Sequence, residues 1–346
     1  MDRIRRELFG SALDAAITVL AAFTLISLSA AFFDWGVADA TWSTGPEACR
    51  AASGACWSFI QAKFRFILFG TYPSAEQWRP LAAMAIVLGA LVASANPRWW
   101  RPRLLLVWVA SLGISALLMW GGALGLSYVP HRLWGGLPLT FLLAVVSLAV
   151  AFPVSVLLAL GRRSNLPVIR AACTVLIEIV RGVPLVSLLF MALIIVPIVF
   201  PAGFTVDKLL RALLALTLFA AAYLAEVVRG GLQAIPKGQY EAAAALGLGY
   251  WRTVRFIVLP QALRVAIPPL TSTFIVMIKN TALVLVIGLF DLFNAAKVAT
   301  TDPAWAGYFA ESYVFVASIY FVICYSVSRY SRYLEQRFSL NSTSAK

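Results

Sequence analysis

Stretches of apolar sequence close to 20 residues long recur along the chain, separated by short clusters of Arg, Lys and Pro. A helix of about 20 residues crosses a hydrocarbon core of roughly 30 Å, and in that medium every backbone N–H and C=O must be bonded inside the protein. Runs of this length restrict the chain to an all-α integral membrane protein. Composition agrees: 61% of residues are apolar, 12% are charged and the mean hydropathy is +0.86, which excludes a water-soluble domain.

Charge placement gives the runs a direction. The formal net charge is +13, but Arg and Lys gather at the ends of apolar runs, as in cytoplasmic loops facing anionic lipid. They do not form the continuous basic patch that nucleic-acid binding requires, so the bilayer is the implied partner and nucleic acid is not. Arg3, Arg5 and Arg6 precede a first run, Ser11–Phe33, and put the N-terminus in the cytoplasm. A secretory signal is the competing reading, with Ser29-Ala30-Ala31 as its cleavage site; the expectation is a retained span. Asp34–Pro80 then forms an extracytoplasmic region with an amphipathic stretch, Trp57–Phe69, although Lys63 and Arg65 lie there against the positive-inside rule. Leu81–Ala95 is short and needs residues before Pro80 to complete its crossing. It returns to Arg98, Arg101 and Arg103, with Trp99 and Trp100 as interfacial anchors.

Leu104–Leu126 leads out and Leu137–Leu160 leads back to Arg162 and Arg163. Val168–Arg181 reads as an oblique, partly charged helix before Pro184–Phe200 crosses outward. Leu209–Val228 returns, Ala266–Leu289 leaves, and Phe309–Ser328 comes in to Arg329, Arg332 and Arg337. About eight transmembrane helices result, with both termini cytoplasmic.

Between two of these spans lies an island, Ile235–Pro268, that is polar, basic and rich in small residues. Pro236 suits a first helical turn, and Glu241 sits early enough to interact with the helix dipole. Ala242–Ala245 favour helix while leaving little side chain, and Gly247 and Gly249 turn the chain. A second short helix, Tyr250–Leu259, carries Trp251, Arg252, Arg255 and Phe256 and is expected to stop at Pro260. The expected product is a helix-turn-helix at the cytoplasmic surface with an aromatic and basic face, suited to docking.

The spacing in this island, Glu241-Ala242-Ala243, three residues, Gly247, nine residues, then Ile257-x-Leu259-Pro260, resembles the EAA loop of bacterial ABC importer permeases. Ala-Tyr-Leu-Ala-Glu-Val-Val-Arg-Gly-Gly at 222–231 and the run Lys237–Leu248 are similar to permeases for polar amino acids. The likeness covers about Leu137 to the C-terminus. The N-terminal extension, with Trp57–Pro73, resembles the larger membrane subunit of general L-amino-acid importers.

The resemblance implies a type I importer core over residues 134–335, with the EAA loop at 235–260. An N-terminal three-helix extension (1–133) precedes it and a cytoplasmic tail (336–346) follows. It implies import of L-amino acids across the bacterial inner membrane beside a related second permease subunit, two ATPase subunits and a periplasmic amino-acid-binding protein. Glu241, Ala242, Ala243, Gly247, Tyr250, Arg252, Leu259 and Pro260 would couple to the ATPase. ATP and Mg would be bound by that partner, leaving no cofactor and no enzymatic reaction in this chain. Consistently, no lysine is followed by Ser or Thr, so the chain has no P-loop.

Other polar groups invite a role in the pathway. Glu178-x-x-Arg181-Gly182 and Glu226-x-x-Arg229-Gly230 each put a carboxylate and a guanidinium on one helix face. Each pair either neutralises itself or offers a zwitterion a gate or binding site. Lys279-Asn280-Thr281 sits mid-span, as a polar lining of the path or a subunit interface, or as a snorkelling lysine. Cys49 and Cys56 form a disulfide if their loop is extracytoplasmic, whereas Cys173 and Cys324 are small hydrophobes. His131 stands alone in a loop, so metal and nucleophile constellations lack their parts, and no catalytic residue or metal ligand is assigned. The rival reading is an ATP-independent secondary transporter or channel that uses the intramembrane Glu, Arg and Lys.

Overall fold

The computed structural model describes residues 8–42, 45–96, 99, 102–199 and 206–339. Arg3, Arg5, Arg6, Arg98, Trp100, Arg101 and Phe200 lie outside these residues. The helices are α1 (Ala12–Phe33), α2 (Pro46–Ala51), α3 (Trp57–Phe69), α4 (Trp78–Ala95), α5 (Arg103–Trp120), α6 (Gly136–Arg162) and α7 (Pro167–Gly182). They continue with α8 (Leu185–Val199), α9 (Lys208–Gln233), α10 (Lys237–Ala245), α11 (Tyr250–Thr253), α12 (Leu259–Asn280), α13 (Leu292–Ala299) and α14 (Phe309–Ser339). Among the described residues, seven helical segments are long and apolar enough to span a membrane, or eight if the bent pair α7 and α8 counts as one.

The chain divides into two compact units. The first holds the described residues up to Phe64 together with Lys297–Phe315. Its α1 starts with Ser11 accepting from the Asp14 N–H, and none of its residues is buried. A helix apolar on every face is fitted to lipid. Beyond it, Cys49 and Cys56 are joined by a disulfide, and Glu311 accepts a buried hydrogen bond from the Cys56 N–H at 2.8 Å. Lys63 forms an ion pair with Asp302, so the lysine that offends the positive-inside rule is neutralised within its own unit.

The second unit, Arg65–Ala296 with the described residues from Val316 on, is built around α9. More than half of its apolar window is buried. Ala220, Ala221, Ala222 and Ala225 are buried on α9, which packs on α6, α7, α8 and α12. Small residues let helix backbones approach closely where lipid removes the usual hydrophobic drive. At Gly231 the approach leaves no room for a side chain: a Cβ there would stand 2.5 Å from the Ala262 carbonyl oxygen of α12.

Several boundaries differ from expectation. Helix α5 ends at Trp120 rather than near Leu126, because Gly121 and Gly122 adopt positive φ and the loop closes with Val129 N–H on the Trp120 carbonyl. The segment from Tyr250 is not stopped by Pro260; it continues through a π turn at Val254–Val258 and α12 to Ile287 as one 38-residue helical segment. The Leu259 N–H reaches back to the Val254 carbonyl, and this wide turn leaves room for the Pro260 ring one residue later. Helices α7 and α8 meet at 106°, broken between Gly182 and Leu185 where Pro184 intervenes.

Arg79 closes the α4–α5 hairpin. Its side chain is 0% exposed; Nε donates to the Leu118 carbonyl at 2.7 Å and Nη1 to the Ser127 carbonyl at 2.9 Å. Glu76 supplies the countercharge at 3.3 Å and also accepts from Ser127 Oγ. Loss of this guanidinium leaves the Leu118 and Ser127 carbonyls without this donor and Glu76 without its countercharge. Arg79→Met, which keeps the volume, should therefore destabilise the hairpin by about 2–3 kcal/mol in thermal unfolding of the detergent-solubilised protein. An unchanged melting temperature would show that the bonds hold nothing together.

Candidate functional site

The helix-turn-helix after α9 is built from local rules. Pro236 is the cap of α10, which ends in a Schellman closure: the Gly247 N–H bonds to the Ala244 carbonyl and the Leu248 N–H to the Ala243 carbonyl. Gly247 takes the left-handed conformation this closure requires, at φ +70°. Ala243, Thr253, Val254 and Val258 are buried and hold the motif against the bundle, helped by Gln261 donating to Gln239 at 3.1 Å.

The other side of the motif is open. Lys237, Glu241, Ala242, Gly247, Arg252 and Arg255 are exposed, while Leu259 and Pro260 are half-buried where the motif enters α12. Leu246, Tyr250, Trp251 and Phe256 expose between 54% and 78% of their surface. Tyr250 and Trp251 meet edge to face at 5.3 Å, and Arg255 lies 5.4 Å over the Phe256 ring. Four large apolar side chains are thus uncovered on one face with guanidinium groups interleaved among them.

The two Glu/Arg repeats do not behave alike. Glu226 pairs with Arg229 on its own helix, Nε donating at 2.9 Å, whereas no pair between Glu178 and Arg181 is present among the described residues. Glu178 instead takes Arg162 of α6 at 2.7 Å, and the same guanidinium reaches Glu226 at 3.1 Å. Arg181 also approaches Glu226, at 3.7 Å, and lies 5.6 Å over the Tyr223 ring. Arg181 thus faces Glu226 and Tyr223 of α9 while Arg162 takes Glu178, so i,i+3 spacing misleads here. Arg162 is the member the repeat could not reveal, and it joins α6, α7 and α9 in one network. Three guanidinium groups face two carboxylates, and the Arg181 Nε has no hydrogen-bond partner, so the network carries a surplus positive charge.

Lys279 is exposed at the last turn of α12, and no carboxylate is paired with it among the described residues. Asn280 lies 3.9 Å from the Met277 sulfur, and buried Thr281 donates to the Ile278 carbonyl. These three residues do not converge on one site. His131 meets the Asp207 carboxylate. A buried carboxylate escaped sequence reasoning altogether: Asp291 is 0% exposed where Gly136 and Asp291 form a parallel bridge. Its Oδ1 accepts from the Asn294 N–H at 3.0 Å and amide at 2.6 Å, and its Oδ2 from Tyr320 at 3.2 Å. Burial pushes the Asp291 carboxyl above its ordinary range, and the Asn294 and Tyr320 bonds oppose that rise. A lone Asp after Phe290 carries no pattern from which this could be read.

An all-α bundle with a protruding helix-turn-helix between two spans defines a permease subunit of type I ABC importers. The chain belongs to the family described as binding-protein-dependent transport system inner membrane component, which matches residues 151–340. It is therefore a multi-pass protein of a family that resides in the bacterial inner membrane.

Two curated relatives match nearly end to end. The inner membrane amino-acid ABC transporter permease protein YhdY of Escherichia coli is 44% identical, over 98% of this chain and 93% of that protein. The glutamate/glutamine/aspartate/asparagine transport system permease protein BztC of Rhodobacter capsulatus is 37% identical, over 96% of this chain and 92% of that protein. A solved structure described as an amino acid ABC transporter with histidines is 32% identical. It covers 58% of this chain and 92% of its own, with a TM-score of 0.52.

Proposed function

We propose that this chain is the membrane-spanning permease subunit of an ATP-driven, binding-protein-dependent importer of L-amino acids, coupled to its ATPases through Ile235–Pro260. The observation that carries the reading is the exposed face of α10 and α11, with Leu246, Tyr250, Trp251 and Phe256 uncovered. The names of the two near full-length relatives support amino acids as the cargo. A related second permease subunit, two ATPase subunits and a periplasmic binding protein complete the assembly. ATP and Mg belong to the ATPases, and no bond-changing reaction belongs to this chain. The solved relative covers only 58% of this chain but 92% of its own, which supports a shared core from about residue 134. Residues 1–133 are then an added three-span extension and 336–346 a tail.

The motion follows from chain continuity. Helix α11 runs through the π turn into α12, and α10 follows α9 after three residues, so displacement of the docking motif is passed to two spans. Closure of the ATPases would rock these spans between inward-facing and outward-facing states. Glu226, the member of the Arg162–Glu178–Glu226 network on α9, lies nine residues before Ile235, and we assign the network the part of an inner gate. Its contacts bind α6, α7 and α9 together when formed and must be exchanged when those helices separate. Its surplus guanidinium gives the carboxylate of a departing amino acid a transient partner. Lys279, Asn280 and Thr281 remain assigned to the lining of the path.

Three outcomes test the proposal. Glu241→Lys or Gly247→Asp should abolish uptake and ATPase copurification while membrane insertion persists; transport by a stably inserted double variant would refute the docking assignment. Arg162→Gln should lower the maximal transport rate about tenfold, the effect of losing roughly 1.4 kcal/mol of gating interaction, with little change in half-saturating concentration. A change confined to half-saturation would make the network a binding site, and no change a structural bridge. For orientation, an impermeant thiol reagent should reach Cys49 and Cys56 from the periplasm after reduction; labelling from the cytoplasmic side alone would invert the first span.

A further inference from the structure

Where α4 ends, a cavity of about 390 Å³ opens against the last turns of α14, lined by Val92, Ala95, Asn96, Tyr333 and Arg337. Its walls are fixed. The Tyr330 hydroxyl donates to the Ala95 carbonyl at 3.1 Å, joining the two helices, and Arg337 donates to the Tyr333 hydroxyl at 2.8 Å. Among the described residues no carboxylate is paired with Arg337, since Glu335 accepts from Ser331 instead. The cavity thus has an apolar wall from Val92 and Ala95 and a polar rim of one amide, one phenol and one guanidinium.

Its depth follows from helix length. Helix α14 has 31 residues and extends about 46 Å at the helical rise, well beyond a hydrocarbon core of roughly 30 Å. With the crossing over Phe309–Ser328, Tyr333 and Arg337 fall in the projecting end, at headgroup level, while Val92 lies one turn inside the end of α4. Arg329 and Arg332 are exposed on the same end of α14.

We propose that this cavity binds one anionic phospholipid, its phosphate diester against Arg337 and Tyr333 and the start of an acyl chain along Val92 and Ala95. A free anion would satisfy the guanidinium but leave the apolar wall wet; a zwitterionic lipid would bring its phosphate but also a quaternary ammonium into a rim that already holds Arg337, with Arg329 and Arg332 exposed on the same helix end. Anionic phospholipid supplies both, and a basic pocket between helix ends at headgroup level is where such lipids are held. The bound lipid would join a helix of the N-terminal extension to the final helix of the core, adding to the Tyr330–Ala95 hydrogen bond that already links them. This inference needs only that α4 and α14 span the membrane, so it stands or falls independently of the transport reading.

The test is native mass spectrometry of the full-length chain, purified with its copurifying subunits and titrated with phosphatidylglycerol or phosphatidylcholine. Wild-type protein should retain one phosphatidylglycerol in preference to phosphatidylcholine. Arg337→Gln should weaken that retention about fivefold, as expected for one guanidinium at an anionic surface. Ala95→Leu, which fills the cavity and leaves every charge in place, should weaken it as well, so a folding defect in one variant does not decide the matter. Arg329→Gln, outside the cavity, should retain lipid as the wild type does. Wild-type retention by both Arg337→Gln and Ala95→Leu would overturn the site. So would a loss in Arg329→Gln as large as in Arg337→Gln, which would mean diffuse attraction, or displacement of the lipid by inorganic phosphate, which would mean a site for the free anion.

Discussion

Close approach of α9 to its neighbours is the constraint on which the second unit depends. In lipid, two apolar helices gain nothing from excluding water, so their association rests on contact distance and on the few polar groups between them. Helix α9 meets this with a run of alanines and with Gly231, whose missing side chain admits a carbonyl of α12. Because backbone lies almost on backbone, α9 can shift against α6 or α12 only as a rigid piece. That rigidity is useful at its end, where the next three residues lead into α10. A loose helix there would absorb any displacement of the docking motif before it reached the bundle.

The same reasoning explains where charge is tolerated. A single ion within hydrocarbon costs roughly 2.5–3.5 kcal/mol even on lenient insertion scales. The chain answers in three ways. Arg79 is buried but surrounded by carbonyl acceptors and Glu76; Arg162, Arg181 and Arg229 share one network with Glu178 and Glu226; Lys279 stays exposed. Only the second combines partners from three helices, and only there does the count of charges leave one guanidinium over. A network of this kind resists a small displacement but exchanges partners under a larger one, which is what a gate requires.

Much of this was legible in the sequence, for a physical reason. Span length is fixed by bilayer thickness, so apolar runs located the helices within a few residues. Errors fell where a local signal met tertiary context. Gly121 and Gly122 ended α5 early inside an apolar run that looked continuous. Pro260 seemed a stop, yet a π turn one step earlier accommodates its ring, and the docking motif gains a stiff connection to α12. The i,i+3 rule paired Glu226 with Arg229 correctly, but it could not see that Arg162 of α6 takes Glu178 while Arg181 faces Glu226.

Asp291 and Arg162 show where such reading ends. The cap formed by Asp291 on α13 is a local feature, but its burial comes from Gly136 and Tyr320, more than 150 residues before it and 29 after it. Arg162 looked like one more residue marking the cytoplasmic end of a span, as positive-inside counting predicts. Its second role depends on Glu178 and Glu226 arriving from two other helices. Topological and mechanical uses of an arginine therefore need not exclude each other: the charge that orients α6 during insertion becomes, once the bundle has closed, the tie between the helices that would have to part. Placing such a tie at the membrane boundary also lowers its desolvation cost relative to mid-span. The boundary is then the economical position for a gate made of ion pairs, and a mid-span site would have to be built chiefly from apolar and small residues.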